Sequence, residues 1–334
     1  MFFVVVNILI CAAYLCFTIT LHRGWSVLHS HDVCQKTPVS ATIVMVFRHL
    51  GIERLAKWKK NMSGQSIEVP TMVGNDDLWR IGKKKALHRV MSDVSTPFAL
   101  LTDGDTSVSL RWAEAVTSAC GGNDLLLLPV RMGVDGDAKG WQALWQRLQA
   151  LEFASLVGSG MAMCGIGHPI MCNGAGMLVN TKRWLESWQD LHPEIPSGDD
   201  IFLLHSFKRR KLLIDYATGH DTVVSTEPNR TVADFWRQRT RWTSKAGAYS
   251  DRDTIAVGAF VAIVNLLWVI TLCRPLCFLF FWIVKSVADY TFLRRLKILY
   301  HDGYTLSLTL LINLVYPLYA LITPIAGILK RKNW

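Results

Sequence analysis

The chain has 334 residues, 51% of them hydrophobic, a mean hydropathy of +0.24 and a formal net charge of +10. That length holds one large or two modest domains, and the apolar excess gathers at the two ends, around a middle that reads as an ordinary soluble domain. No basic stripe with interleaved aromatics runs along the sequence, which sets nucleic-acid binding aside; Lys and Arg beside the apolar ends suit anionic lipid head groups instead.

Met1 to Leu21 carries no charged side chain and is long enough to cross a bilayer core of roughly 30 Å. No Lys or Arg precedes it and no small-residue cleavage site follows, so it reads as a retained anchor over 1–23 rather than a signal peptide. His22 and Arg23 come next, which favours an outside amino terminus and a cytosolic carboxyl side.

A soluble domain is expected over 24–250. SATIVMVF (Ser40 to Phe47) suits a buried strand, and HLGIERLAKWKKN follows with Leu50, Ile52, Leu55 and Trp58 at near-helical spacing. SIEVPTMV (Ser66 to Val73) is a second strand that Pro70 weakens or sends to an edge. In GKKKALHRVMSDV, Ala86, Leu87, Val90 and Met91 form one helix face. TPFALLTD is a strand, RWAEAVTSAC a helix and DLLLLPVR another strand. Alternation of this kind predicts an α/β domain with a largely parallel sheet. In WQALWQRLQALEF the apolar stripe Trp141, Leu144, Trp145, Leu148 and Leu151 is expected to pack in a core or on a membrane, or to serve as an aromatic platform. The eight cysteines show no CxxC pair and are expected as thiols.

The end of the chain, 251–334, is expected to be a membrane domain. Ile255 to Cys273 is one apolar run, broken by Arg274 and resumed in Pro275 to Val284; Tyr304 to Leu329 is another. The basic stretch 285–303 between them reads as an interfacial, cytosolic segment, with Arg274 and Lys285 snorkelling to the interface. The number of crossings stays open.

Three acidic or basic blocks carry chemistry. In LLTDGDTSVS, Asp103 and Asp105 follow an apolar strand, at the carboxyl end where ligands of α/β sheets gather. If the extended conformation continues, both point to one side, and such a pair suits Mg2+ or Mn2+, hard cations that take carboxylate and phosphate oxygens. A solvated Asp-Gly turn is the bland alternative. In SGDDIFLLHSF, Ser197 is a plausible N-cap that places Asp199 and Asp200 in a first helical turn, as helix caps or as a general base. In FWRQRTRWTSK, Thr231 and Asp234 fit a capping box, and Gln238, Arg241 and Trp242 share one helix face. Arg brings a planar fork for phosphate, Gln an amide and Trp a flat surface for a sugar ring; an amphipathic basic helix on the membrane is the alternative. The loop GHPIMCNGAGMLV permits close backbone approach but lacks phosphate-loop spacing. Lys83, Lys84 and Lys85 either meet phosphate or form a solvated turn.

Taken in order, GKKKAL, TDGD, MCNGAG, SGDD and QRTRW resemble the membrane-bound family-two glycosyltransferases, which include cellulose and hyaluronan synthases and ceramide glucosyltransferases. The likeness is strongest to bacterial members with CNGA, SGDD and QR-x-RW blocks, and it spans roughly Val39 to Ala248. It implies a GT-A domain (Rossmann-like, a mixed and mostly parallel sheet) on the cytosolic face, flanked by transmembrane helices, in a bacterial inner membrane. The implied reaction is inverting transfer from a nucleotide-diphosphate sugar to a polysaccharide or lipid acceptor, with Mg2+ or Mn2+. Asp103 and Asp105 match the metal-binding DxD. Asp200 matches the catalytic base, with Asp199 as its fallback. Lys83, Asp103, Gln238 and Arg241 match donor-diphosphate positions, and Trp242, Cys172, Asn173 and Gly174 acceptor positions. The family's acidic nucleoside-binding turn has only Asp76 and Asp77 near its place, with Gly82 close behind, so about one β-α unit reads as shortened or absent. A second implied reading is a non-catalytic membrane partner in a polysaccharide synthesis complex.

Overall fold

In a computed structural model, which describes residues 2–30, 37–47, 52–67, 70–74, 81–300 and 303–330, the chain divides into two compact units. One holds 28–133 and 171–227, the other 1–27, 134–170 and 228–334.

The first unit is built on a six-stranded sheet. Its strands are β1 (Ala41–Val46), β2 (Thr71–Gly74), β3 (Phe98–Thr102), β5 (Leu125–Leu127), β7 (Gly176–Asn180) and β8 (Ile214–Tyr216). They lie in the order β2-β1-β3-β7-β5-β8. β7 runs antiparallel to both neighbours and the other pairs are parallel. A smaller sheet joins β4 (Thr106–Ser107), β9 (Val224–Thr226) and β6 (Val130–Met132).

Largely apolar runs mark the central strands, as expected of strands covered on both faces: β1 is buried throughout, Thr42 included, and β3 from its second residue. β2 starts only after Pro70 and lies at the sheet edge, where a residue without N–H does least harm. DLLLLPVR, expected as one strand, is two. Pro129 cannot donate to a ladder, so β5 stays in the large sheet while β6 leaves it for the small one, and Val224 N donates to the Pro129 carbonyl at 2.9 Å.

Between β1 and α3 (Lys83–Ser92) the described residues hold one helix, α2 (Ile52–Ser63), and one strand, β2. Helix α3 buries Ala86, Leu87, Val90 and Met91, the face its spacing predicts. Helix α4 (Trp112–Ala119) follows the DGD turn, α6 (Thr181–Glu186) follows β7, and α7 (Asp199–Arg209) precedes β8.

The second unit is helical. It comprises most of α1 (Phe2–Ser30), together with α5 (Gly140–Gly165), α8 (Val232–Thr243), α9 (Arg252–Thr271), α10 (Pro275–Tyr300) and α11 (Leu306–Lys330). Among the described residues, four helices are long and apolar enough to cross a membrane: Phe3–His29, Arg252–Thr271, Pro275–Tyr300 and Leu306–Leu329. Helix α10 runs without a break to Tyr300.

Lys285 does not reach outward to an interface. It is buried, with Nζ 2.7 Å from Asp289 Oδ2 and 2.8 Å from Asn313 Oδ1. Asn313 Nδ2 donates back to Asp289 Oδ2 at 2.8 Å, and Tyr14 of α1 donates to the other Asp289 oxygen. A cation among apolar helices is tolerable when such partners are supplied.

Helix α5 buries only Leu151 of its apolar stripe, leaves Leu144, Trp145 and Leu148 half-buried, and buries polar residues beside it. Trp141 is 67% exposed, while Gln146, Gln149 and Glu152 are buried beside Leu151. The polar residues go inside because each has a partner: Asp135 N donates to Gln146 (2.8 Å), Asn229 N to Gln149 (2.9 Å), and Arg239 pairs with Glu152. Helix α8 lies against α11, where Thr243 Oγ1 donates to the Thr323 carbonyl at 2.9 Å. A Cβ on Gly327 would stand 2.6 Å from that same hydroxyl, so only glycine permits the approach. Those contacts tie 134–170 to 228–250, and 228–250 to α11.

Candidate active site

The carboxyl end of β3 delivers Asp103 into a turn rather than into a continued strand. Thr106 returns both its N–H (3.4 Å) and its hydroxyl (2.7 Å) to the Asp103 carbonyl. Alternation therefore does not set the relation of Asp103 to Asp105; a tight Asp-Gly-Asp turn does.

Lys83, the first residue of α3, reaches into the carboxylates. Its Nζ stands 3.0 Å from Asp103 Oδ1 and 4.0 Å from Asp199 Oδ2. Burial works against its charge, but Asp103, Asp199 and Asp200 together hold its ammonium well above the ordinary lysine value. Lys84 is engaged elsewhere. Buried, it donates to the Leu191 and His192 carbonyls at 2.6 and 3.0 Å. Lys85 faces solvent. The three consecutive lysines thus divide into one at the carboxylates, one tether and one solvated.

Asp199 and Asp200 open α7, as expected, but the N-cap is Gly198 and not Ser197. Its φ of 89° is left-handed, a conformation that favours glycine, and no side chain caps the helix. Asp200 is held by backbone donors: Gly174 N gives 3.2 Å to Oδ2 and Ile201 N gives 2.7 Å to Oδ1. The loop that supplies Gly174 is shaped by Asn173, whose side-chain oxygen accepts from Ala175 N at 3.0 Å, and Cys172 is buried beneath it. So Lys83, Asp103, Asp199, Asp200 and the Cys172–Gly174 loop form one locality of the sheet unit, with Asp105 in the same turn as Asp103. Asp76 and Asp77 lie outside the described residues.

The locality is rich in negative charge. Asp105 loses part of its hydration and feels first Asp103 and then Glu227, and its carboxyl is held above the usual carboxylate range. Among the described residues no three His, Cys, Asp or Glu side chains gather into a ready metal cage. The donor set that exists, two carboxylates in one turn with acids in excess, fits a hard cation that brings water and phosphate oxygens of its own. The elevated Asp105 gives a stability prediction. An acid whose folded pKa exceeds its unfolded one destabilises the fold above the folded pKa, and that penalty vanishes as pH falls below the unfolded value. Asp105→Asn is therefore expected to raise the metal-free melting midpoint at neutral pH, with the gain over wild type disappearing in acid.

In the helical unit, Thr231 caps α8 by accepting from Asp234 N at 3.1 Å, and the Thr231 hydroxyl donates to Asp234 Oδ2 in return. Gln238 is half-buried, Arg241 exposed, and Trp242 lies partly covered by Phe153, ring centroids 6.0 Å apart. The sequence reading missed Arg239. It is buried, pairs with Glu152, and has its guanidinium 4.5 Å from the Phe235 ring and 4.2 Å from the Trp242 ring. The available signal was Glu152 itself, a lone acid in the apolar stretch LQALEFASLV, since a buried charge requires an opposite one.

Comparison with known proteins gives one match by sequence family. The family described as glycosyl transferase family group 2 matches residues 100–327. No curated protein matches the chain. Among solved structures, the chain is similar to mannosyltransferase PcManGT from Pyrobaculum calidifontis in complex with GDP-Man and Mn2+. The TM-score is 0.45 at 11% identity, covering 98% of each chain. It is also similar to GalNAc-T7 with UDP, GalNAc and Mn2+, with a TM-score of 0.38 at 11% identity, covering 69% of this chain and 55% of that one.

Proposed function

Since the chain belongs to glycosyl transferase family group 2 and is a glycosyltransferase, we propose that it moves a sugar from a nucleotide-diphosphate donor to an acceptor hydroxyl with inversion. The observation that carries this reading is the gathering of Lys83, Asp103, Asp199 and Asp200, with Lys83 bridging Asp103 and Asp199.

In the proposed step, the acceptor oxygen attacks the anomeric carbon as the bond from that carbon to the diphosphate breaks. The electron pair leaves with the diphosphate, and the acceptor proton passes to Asp200. Asp200 suits that role because two backbone N–H groups hold its carboxylate in place, and a positioned base contributes most when its geometry is fixed beforehand. Asp199 is the second choice, its Oδ2 being engaged at 4.0 Å by Lys83. Asp103 and Asp105 would hold Mg2+ or Mn2+, which supplies charge neutralisation to the departing diphosphate. Lys83 adds a further positive charge at the same place. Gln238 and Arg241 are assigned to donor phosphate oxygens, and Trp242 with Cys172, Asn173 and Gly174 to the acceptor.

The four long apolar helices among the described residues support an integral membrane enzyme, and the resemblance to membrane-bound family-two enzymes is what assigns its catalytic domain to the cytosolic side. A growing polysaccharide and a lipid are the two acceptor classes considered, and product mass separates them. The test uses the purified full chain with a panel of nucleotide-diphosphate sugars and either Mn2+ or Mg2+. Release of nucleoside diphosphate is expected from at least one donor, lost on chelation and in Asp103→Ala. Release undiminished in Asp103→Ala would contradict the reading.

A further inference from the structure

The guanidinium of Arg239 serves several partners at once. Two of its nitrogens engage the two oxygens of Glu152, one of them Nε at 3.2 Å, and Glu152 Oε1 also accepts from the Tyr319 hydroxyl at 2.6 Å. Both ionic side chains are nearly sealed from water, at 4% and 3% exposure. The remaining terminal nitrogen donates to Gln238 Oε1. Packing between the Phe235 and Trp242 rings leaves that planar fork little freedom.

A guanidinium only donates. The Gln238 atom facing it must therefore be the amide oxygen, which settles which way round the amide sits. Asn229 agrees, since its Nδ2 donates to the same oxygen at 2.9 Å. Asn229 is itself anchored: its N–H and Nδ2 donate to Gln149 Oε1 at 2.9 and 3.2 Å, and its carbonyl accepts from Trp145 Nε1 at 3.1 Å. With the oxygen taken twice, Gln238 can offer only N–H outward. Among the described residues no protein acceptor takes that nitrogen.

We infer that Arg239, held by Glu152 and Tyr319, is a positioning residue that fixes Gln238 as a one-way donor to an anionic oxygen of the nucleoside diphosphate. This rests on the proposed function for the identity of the ligand, and it adds a residue and a mechanism to it. A free glutamine presents oxygen or nitrogen by rotating its amide, and the wrong face repels phosphate. Fixing the amide beforehand removes that loss.

The test is calorimetric binding of UDP and of GDP, each with Mn2+, to the purified full chain. The forms compared are wild type, Gln238→Ala, Arg239→Lys, the double variant and Gln238→Glu, with melting midpoints measured alongside. Lysine keeps a cation opposite Glu152 but cannot serve both Glu152 oxygens and Gln238 together. Arg239→Lys is expected to weaken binding by about 10-fold, the scale of one hydrogen bond to a charged group, yet to cost less than about 2-fold in the Gln238→Ala background, because residues acting through one another are not additive. Gln238→Glu keeps an oxygen facing Arg239, so its melting midpoint should hold or rise while binding falls by at least about 10-fold. An equal cost of Arg239→Lys in both backgrounds, or wild-type affinity in Gln238→Glu, overturns the inference. So does a wild type that binds neither nucleotide. Normal binding and coupling without sugar transfer would count against the proposed reaction alone.

Discussion

Asp200→Asn is expected to lower the rate of nucleoside diphosphate release by about 10²- to 10⁴-fold, the usual contribution of a positioned general base. The variant should still fold. Asparagine retains an oxygen for one of the two backbone donors, Gly174 N or Ile201 N. The favourable interaction of a carboxylate with a helix start, lost in the variant, is worth only about 0.3–1 kcal/mol. Asp199→Asn makes the internal control. Asp199 faces Lys83, so its loss should raise the donor KM more than it lowers kcat. Steady-state kinetics on both variants separate the roles, and the reverse pattern would make Asp199 the base.

The largest stability effect is expected at Glu152. Removing one partner of a buried ion pair costs about 3–5 kcal/mol, because the other charge is left unpaired. Glu152→Ala strands Arg239 between the Phe235 and Trp242 rings and takes the acceptor from the Tyr319 hydroxyl. A denaturation midpoint in detergent should fall accordingly. The double variant Glu152→Ala with Arg239→Met should recover much of the loss, since an apolar replacement leaves no bare charge. If the single and double variants melt alike, the pair does not hold α8 to α5.

Much of the sheet was legible in the sequence, for a physical reason. β1 and β3 are buried, mostly apolar runs whose polar members are Thr42 and Thr102, and α3 shows a clean 3.6-residue stripe. DLLLLPVR was not legible as two strands, because the apolar pattern continues across Pro129 and the division depends on which sheet each half joins. Position after a strand located Asp103 and Asp105, yet the turn between them depends on Thr106 folding back on Asp103.

The helical unit was harder to read. Counting apolar residues on α5 left a core, a membrane surface and an aromatic platform open for its stripe, because the buried face is set by partners distant in sequence: Asn229 for Gln149, and Arg239, 87 positions away, for Glu152. Lys285 and Asp289 stand four apart on one helix face with opposite charges, so their pairing could be read from the sequence. Asn313, which completes the network from α11, could not. Arg239 is the second residue of QRTRW, but the likeness assigns roles only to Gln238, Arg241 and Trp242, so a motif reading gives it none.

The proposed chemistry depends most on the carboxylate turn binding a divalent cation together with a diphosphate. Mn2+ titrated into the purified chain with UDP or GDP present, followed by electron paramagnetic resonance of the free ion, measures this without requiring turnover. Wild type should sequester about one Mn2+ per chain in a nucleotide-dependent way, and the double variant Asp103→Asn with Asp105→Asn should leave the free-ion signal as it is in buffer with nucleotide alone. Sequestration by the double variant equal to that of wild type would contradict the metal-assisted mechanism.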